Sequence, residues 1–287
     1  MTEDTLDLVV QGPGASLAGV RPLAGLSGAH DIRPIAGDPA AFRLIAPRSH
    51  NGVAEAAHAL RLDHAFVPRS RRLADVRVVA MDMDSTLITI ECIDEIADML
   101  GIKPQVARIT ESAMRGEIDF RESLVRRVAL LEGLDVAALA RVYDERVTLS
   151  PGAEAMLRRF HAAGATSLLV SGGFTFFTER LKTRLNLRHT LSNVLDVDDE
   201  KLTGRVLGDI VDADAKASAL RRLRATLPPG LAVAIGDGAN DLPLFRAADV
   251  SVAWRAKPVV RREATHALDF CGLDGVVNLF NLGIGRK

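Results

Sequence analysis

The chain has 287 residues, 48% of them hydrophobic, which is enough to pack one large domain or two modest ones. Its 36 basic and 37 acidic residues leave a formal charge of −1, so no broad field would draw nucleic acid or an anionic membrane, and any anion must be held locally. Two cysteines, Cys92 and Cys271, cannot make a disulfide framework and lack metal-site spacing, so both are expected as buried thiols. The acidic start and the absence of an apolar run of ~20 residues exclude a signal peptide or membrane span and make the cytoplasm the default expectation.

Residues 1–74 read as a small α+β region, with strand-like pieces at Leu6 to Val10 and Phe42 to Ile45 and a helical pattern from Val53 to Leu60. The segment "GPGASLAG" has Leu17 where a dinucleotide loop would place its third glycine, so a plain loop is expected. "PRSRRLAD" closes the region as a basic connector without interleaved aromatics, which reads as a solvated linker. A chain beginning near Arg71 is expected to keep the site described next.

"VRVVAM" then reads as a strand buried on both faces, and it delivers Asp82, Asp84, Ser85 and Thr86 at its carboxyl end. Ile93, Ile96, Ala97 and Leu100 follow at helical spacing, and helical periodicity continues to about Val147. That is too long for a minimal crossover, so residues 91–148 are expected to form an inserted helical cap. Ser150 is expected to cap a helix reaching Ala163, with Gly164 stopping it. "TSLLVSGG" reads as strand and turn, "FTFFTERLKTRL" as helix, "NVLDVDDEKLTGRV" as hairpin, and "ADAKASALRRLRATL" as helix. "LAVAIGDGAND", "DLPLFRAA" and "DVSVAW" read as strand and turn, helix, and strand. Strands alternating with helices predict an α/β doubly wound parallel sheet over residues 75–287, with its ligand beyond the carboxyl ends of the strands.

Those ends carry Asp82 and Asp84, then Ser171, Gly172 and Gly173, then Gly236 to Asp241, while the seven histidines fall elsewhere. Each motif has a bland reading alone: a helix cap, a tight turn, an acidic loop. Together, close carboxylates suit a hard cation such as Mg²⁺, and glycine turns with small hydroxyls suit phosphate oxygens. Attack of Asp82 on phosphorus brings like charges together, each pair costing about 4 kcal/mol at ~4 Å and an effective dielectric near 20. Mg²⁺ on Asp82 and Asp237, with Lys216 as a second cation, would offset that repulsion. Asp84 would protonate the leaving oxygen, and the charge of Asp82 and the phosphate would raise its pKa for the task.

Over residues from about 75 to 275 the chain resembles the haloacid dehalogenase superfamily, and within it the family of phosphoserine phosphatases. "DMDSTLI", Ser171 in "SGG", Lys216 and "GDGAND" match its four motifs in order. The resemblance implies a Rossmann-like core with a cap, and Mg²⁺-dependent hydrolysis of O-phosphoserine as the last step of serine biosynthesis. It implies Asp82 as the phosphorylated nucleophile and Asp84 as the acid and base. Mg²⁺ would sit on Asp82, the Asp84 carbonyl and Asp237, with Ser171, Gly172 and Lys216 on the phosphate and Asn240 and Asp241 supporting them. In the cap, Glu91 would pair with an ammonium, Arg127 would grip a carboxylate, and Met114 and Phe120 would supply apolar walls. The competing expectations are a related phosphatase or phosphotransferase on another small phosphomonoester, and a serine-binding regulatory module. Relatives often carry a small preceding domain, sometimes of the amino-acid-binding ACT type; the first 74 residues are short for that and their role is unassigned. Oligomeric state stays open.

Overall fold

The computed structural model describes residues 5–283. It begins with β1 (Leu6–Gln11), α1 (Leu17–Ser27), β2 (Asp31–Ile35), β3 (Asp38–Ile45), α2 (Val53–Ala59) and β4 (Asp63–Pro68). The strands form an antiparallel sheet of order β2-β3-β1-β4, the split βαβ arrangement of ferredoxin-like units. Alternation along the strands sends Leu8, Val10, Phe42 and Leu44 against Val20 and Leu23 of α1 and Val53 and Ala57 of α2. The other face, with Val9, Ala41, Ala65 and Val67, joins the large core of the remaining chain.

Two expectations change here. The second half of "GPGASLAG" opens α1, because Ser16 accepts a hydrogen bond from the Gly19 N–H at 3.1 Å and caps the helix. The basic connector stays solvated, with Arg69 and Arg72 side chains 43% and 63% exposed, but it is also pinned. Arg69 Nη2 lies 2.7 Å from Asp7 Oδ1, Arg71 Nη1 donates to His266 Nε2 at 2.8 Å, and Arg72 Nη2 lies 2.6 Å from Asp75 Oδ1.

The main body follows with β5 (Val76–Met81), then the cap helices α3 (Cys92–Met99), α4 (Lys103–Met114), α5 (Phe120–Ala129) and α6 (Val136–Arg146). It continues through α7 (Ala153–Ala162), β6 (Thr166–Phe174), α8 (Thr175–Leu185), β7 (His189–Asp198), β8 (Lys201–Leu207), α9 (Ala213–Ala225) and β9 (Leu231–Gly236). It ends with α10 (Leu242–Arg246), β10 (Val250–Trp254), α11 (Pro258–Glu263) and β11 (His266–Leu268). The sheet order is β11-β10-β9-β5-β6-β7-β8, parallel except for the β7–β8 hairpin. This is a doubly wound α/β fold. Val79, Met81, Leu169, Val233 and Ile235 face one helical layer, and Val78, Ala80, Leu168, Val170, Ala232 and Ala234 face the other, as strands buried on both sides require.

The cap leaves and rejoins this body at one place. Ile88 and Leu149 form an antiparallel bridge, and the Thr89 N–H donates to the Thr148 carbonyl at 2.9 Å. The helix after the cap starts later than expected: Ser150 does not cap it, because Gly152 at φ 79° turns the chain first and α7 begins at Ala153. A side chain at Gly152 would also meet the Asp274 backbone nitrogen at 2.7 Å. Cys92 and Cys271 are buried and unpaired. Among the described residues no helix is long and apolar enough to cross a membrane.

Candidate active site

β5 ends beside Ile235 near the end of β9, while β6 runs past Leu169 to Phe174, so the segments after β5 and β9 and the last residues of β6 converge on one edge of the sheet. The Asp82 N–H still pairs with the Ile235 carbonyl at 3.0 Å, which fixes the residue at the last rung of the ladder. Beyond it the chain makes one irregular turn over Met83–Leu87, with Asp84 extended and Ser85 at φ 55°. A left-handed serine is strained, and here the strain folds both carboxylates toward a single space.

That turn ties down the acidic residues around it. Asp82 Oδ1 accepts from the Met83 N–H at 2.7 Å, and its Oδ2 lies 2.8 Å from Lys216 Nζ. The same ammonium reaches Asp241 Oδ1 at 2.9 Å, with Lys216 1% exposed. Burial works against the Lys216 charge, but Asp82 and Asp241 more than offset it and hold the pKa above its ordinary value. Burial, then the charge of Asp82, pushes Asp241 up to about 7. Gly236 is required beside it, since a Cβ there would collide with the Asp241 carboxylate. Thr86 Oγ1 donates to Asp237 Oδ1 at 2.9 Å, and Ser85 Oγ donates to Glu91 Oε1 at 2.6 Å. Burial raises the pKa of both acids, and those hydroxyl bonds oppose it.

Asp84 differs from its neighbours. Its Oδ1 is buried without a hydrogen-bond partner. Burial first, then the charges of Glu91 and Asp82, push its pKa well above the carboxylate range. A carboxyl in that state holds a proton and can deliver it.

Asp82, Asp84, Glu91, Phe120, Arg127, Ser171, Gly172, Gly173, Asp237 and Asn240 line one cavity of about 140 Å³, so the structure brings these predicted residues together. Lys216 and Asp241 stand behind Asp82. Met114 is not among the lining residues: it ends α4 with 70% of its surface exposed, away from the cavity. Ile93, Leu124 and Phe174 supply the apolar wall expected of it. The "SGG" segment is not a turn. β6 runs through it to Phe174, with its pairing to β7 shifted between Val170 and Phe174, and the Gly173 N–H donates to Ser171 Oγ at 2.8 Å. At Gly173 a Cβ would lie 2.9 Å from Met83 Cε, 3.1 Å from Ser171 Oγ and 3.3 Å from Asp84 Oδ2, so glycine lets these side chains approach the strand closely.

Burial draws the Arg127 guanidinium below its usual pKa, opposed by the carboxylates of Asp94, Glu91 and Asp84. The cavity therefore presents a cation and an anion from the cap above a carboxylate cluster from the core. Asp82, Asp237 and Asp241 each offer an oxygen, all within 4.8 Å of one another. Carboxylate oxygens without histidine or thiolate are the donor set of a hard divalent cation, so the residues present fit one. Sequence reasoning noticed Ser85 and Thr86 only as small hydroxyls. It missed Asn193, which donates to the Gly172 carbonyl at 2.8 Å from a strand with no motif.

A family model described as haloacid dehalogenase-like hydrolase matches residues 79–246. A phosphoserine phosphatase from Polaromonas sp. (strain JS666 / ATCC BAA-500) is 50% identical over 215 residues, covering 72% of this chain and 91% of that protein. Among solved structures, a haloacid-dehalogenase-family hydrolase from Salmonella enterica subsp. enterica serovar Typhi superposes with a TM-score of 0.88 at 32% identity. The match covers 96% of this chain and 98% of that one. A probable phosphoserine phosphatase from Vibrio cholerae, unliganded, superposes with a TM-score of 0.84 at 35% identity, covering 96% and 86%. The 4% left uncovered is far shorter than the first 74 residues, so both resemblances extend into the N-terminal sheet.

Proposed function

Because the chain belongs to the haloacid dehalogenase-like hydrolase family, we propose that it is a phosphatase that hydrolyses O-phosphoserine to serine and inorganic phosphate. The observation that carries the reading is the enclosure of Glu91 and Arg127 in the same cavity of about 140 Å³ as Asp82 and Asp84. An amino acid bearing a phosphate has an ammonium for Glu91, a carboxylate for Arg127 and a phosphorus for Asp82. The small volume favours a free amino acid over a phosphorylated peptide.

In this mechanism Asp82 attacks phosphorus as the bond to the serine oxygen breaks, and Asp84 gives its proton to the departing oxygen. Asp84 then takes a proton from the water that attacks the aspartyl phosphate, releasing phosphate and restoring Asp82. Lys216, held 2.8 Å from Asp82, keeps the nucleophile aimed and counters the charge that builds on the phosphoryl oxygens. Ser171 and the Gly172 backbone would hold those oxygens, with Asn240 at the wall. Asp82, Asp237 and the Asp84 carbonyl, backed by Asp241, would hold Mg²⁺, whose charge would offset repulsion between carboxylate and phosphate. Phe120 closes the cap side: a Cβ on Gly172 would lie 2.9 Å from its ring.

The test is phosphate release from a panel of phosphomonoesters, with Mg²⁺ and after chelation. O-Phosphoserine should lead the panel and chelation should abolish release. Equal rates on esters without an amino-acid group would overturn the substrate assignment.

A further inference from the structure

We propose that Asn193 is a positioning residue that sets both halves of the phosphate pocket, the Ser171 hydroxyl and the Lys216 ammonium, from a place that touches neither. The inference rests on the phosphatase reading above.

Asn193 lies in β7 and is 1% exposed. Its Nδ2 donates to the Gly172 carbonyl at 2.8 Å, and its Oδ1 accepts from the Val211 N–H at 2.8 Å. The orientation of the amide is forced, because a carbonyl only accepts and a backbone N–H only donates. The first bond fills a gap in the sheet. The register between β6 and β7 shifts between Val170 and Phe174, so Ser171, Gly172 and Gly173 fall outside the regular ladder. A half-buried carbonyl left there without a partner would be unfavourable, and the side chain of Asn193, itself 1% exposed, takes the place of the missing rung.

The Gly172 carbonyl and the Gly173 N–H belong to one planar trans peptide and point in opposite directions. Fixing the carbonyl on Asn193 therefore aims the N–H at Ser171 Oγ, which accepts it at 2.8 Å. Having accepted that donor, the hydroxyl is free to turn its own proton toward the cavity that Ser171 lines. Asn193 thus orients Ser171 through one intervening peptide.

The second bond acts on α9. Val211 immediately precedes Asp212, which caps the helix by accepting from the Ala215 N–H at 2.9 Å. The Lys216 N–H bonds the Asp212 carbonyl at 3.1 Å, so Lys216 sits in the first turn that this cap defines. Holding Val211 fixes where α9 starts, and with it the reach of Lys216 to Asp82 and Asp241. One side chain keeps the hydroxyl and the ammonium in register, which a transition state with charge spread over several oxygens demands.

The experiment compares Asn193→Asp, Asn193→Ala, Ser171→Ala and the double variant Asn193→Asp/Ser171→Ala in the full chain, each shown to be folded by circular dichroism. Asn193→Asp keeps an acceptor for Val211 but sets a carboxylate oxygen against the Gly172 carbonyl; Asn193→Ala removes both bonds and serves if the aspartate variant does not fold. Two quantities are read: kcat/KM for O-phosphoserine, and affinity for inorganic phosphate by calorimetry with Mg²⁺ present. Both should fall about 10- to 100-fold in either single Asn193 variant, the cost of a misdirected buried hydrogen bond. In the Ser171→Ala background, Asn193→Asp should add less than about threefold, since it acts through that serine. Folded variants within about threefold of wild type on both measures, or fully multiplicative effects in the double variant, would overturn the proposal. If wild type binds phosphate but does not hydrolyse O-phosphoserine, the substrate reading falls and the phosphate-affinity arm still decides the role of Asn193.

Discussion

Gln11 and Asn278, 267 positions apart in the chain, share a 2.7 Å hydrogen bond, and both side chains are buried. Gln11 also donates to the Gly275 carbonyl at 3.1 Å, and Asp63 accepts the backbone N–H groups of Asp269, Phe270 and Cys271 at 2.7, 3.0 and 2.8 Å. The N-terminal sheet thus satisfies buried groups of the C-terminal segment, besides sharing its core. Gln11→Ala should cost about 1–3 kcal/mol by leaving buried partners unpaired, read as a lower urea midpoint. Removing residues 1–70 should cost far more, because it also strips Val9, Ala41, Ala65 and Val67 from the shared core. Purified fragment with a wild-type melting temperature would disprove this dependence.

Asp84→Asn should separate the two chemical steps. With O-phosphoserine both steps need its proton transfers, and turnover should fall by about 10²–10⁴-fold. With an aryl phosphate, whose leaving group departs unprotonated, a rapid burst of released phenol should remain while later turnover stays slow. Asp82→Asn should lose burst and turnover alike. Phosphate trapped on any residue but Asp82 would refute the assignment of the nucleophile.

Arg127→Ala should weaken kcat/KM for O-phosphoserine by roughly 30- to 150-fold, about 2–3 kcal/mol for a buried charged partner left unpaired. Phosphate esters lacking a carboxylate should change little. A matched loss on both substrate classes would make Arg127 a structural part of the cap.

His266 gives a pH signature for stability. Burial and the neighbouring Arg71 charge hold its imidazole down to about 4 from an ordinary 6.5, and Arg71 Nη1 donates to Nε2 at 2.8 Å, a bond only the neutral ring accepts. With the folded pKa below the unfolded one, its contribution is whole above pH 6.5 and is lost as pH falls toward about 4, up to ~3 kcal/mol. His266→Asn should flatten the fall of the urea midpoint between those limits. An unchanged slope would assign the acid sensitivity to other groups.

The residues most legible in sequence were those whose chemistry and place coincide. Asp82 and Asp84 follow a strand of continuous apolar residues, so their position at a sheet edge could be read without tertiary information. The doubly wound class, though not the strand order, followed from the alternation of strands and helices. α1 and β2 were hidden by proline: Pro22 lies within the helix and Pro34 in the strand, tolerated there because β2 is an edge. Met114 was assigned by resemblance, but matching a motif does not set which way the last residue of a helix faces, and α4 turns it to solvent. Asn193 left no trace, since it works on the backbone groups of Gly172 and Val211, which any sequence would supply. Asp63 was invisible for the same reason.

The isolated bridge between Ile88 and Leu149 brings the departing and returning chain of the cap side by side, and Asp135 of the cap makes a second bridge to Lys201 of β8. Asp82, Ser171 and Asp237 at the sheet edge, and Lys216 on α9, all lie outside the inserted stretch. The bond-breaking groups and the selector of molecules therefore sit on separate stretches of chain, and an exchanged selector would have to keep its backbone bonds to Glu200 and Leu202.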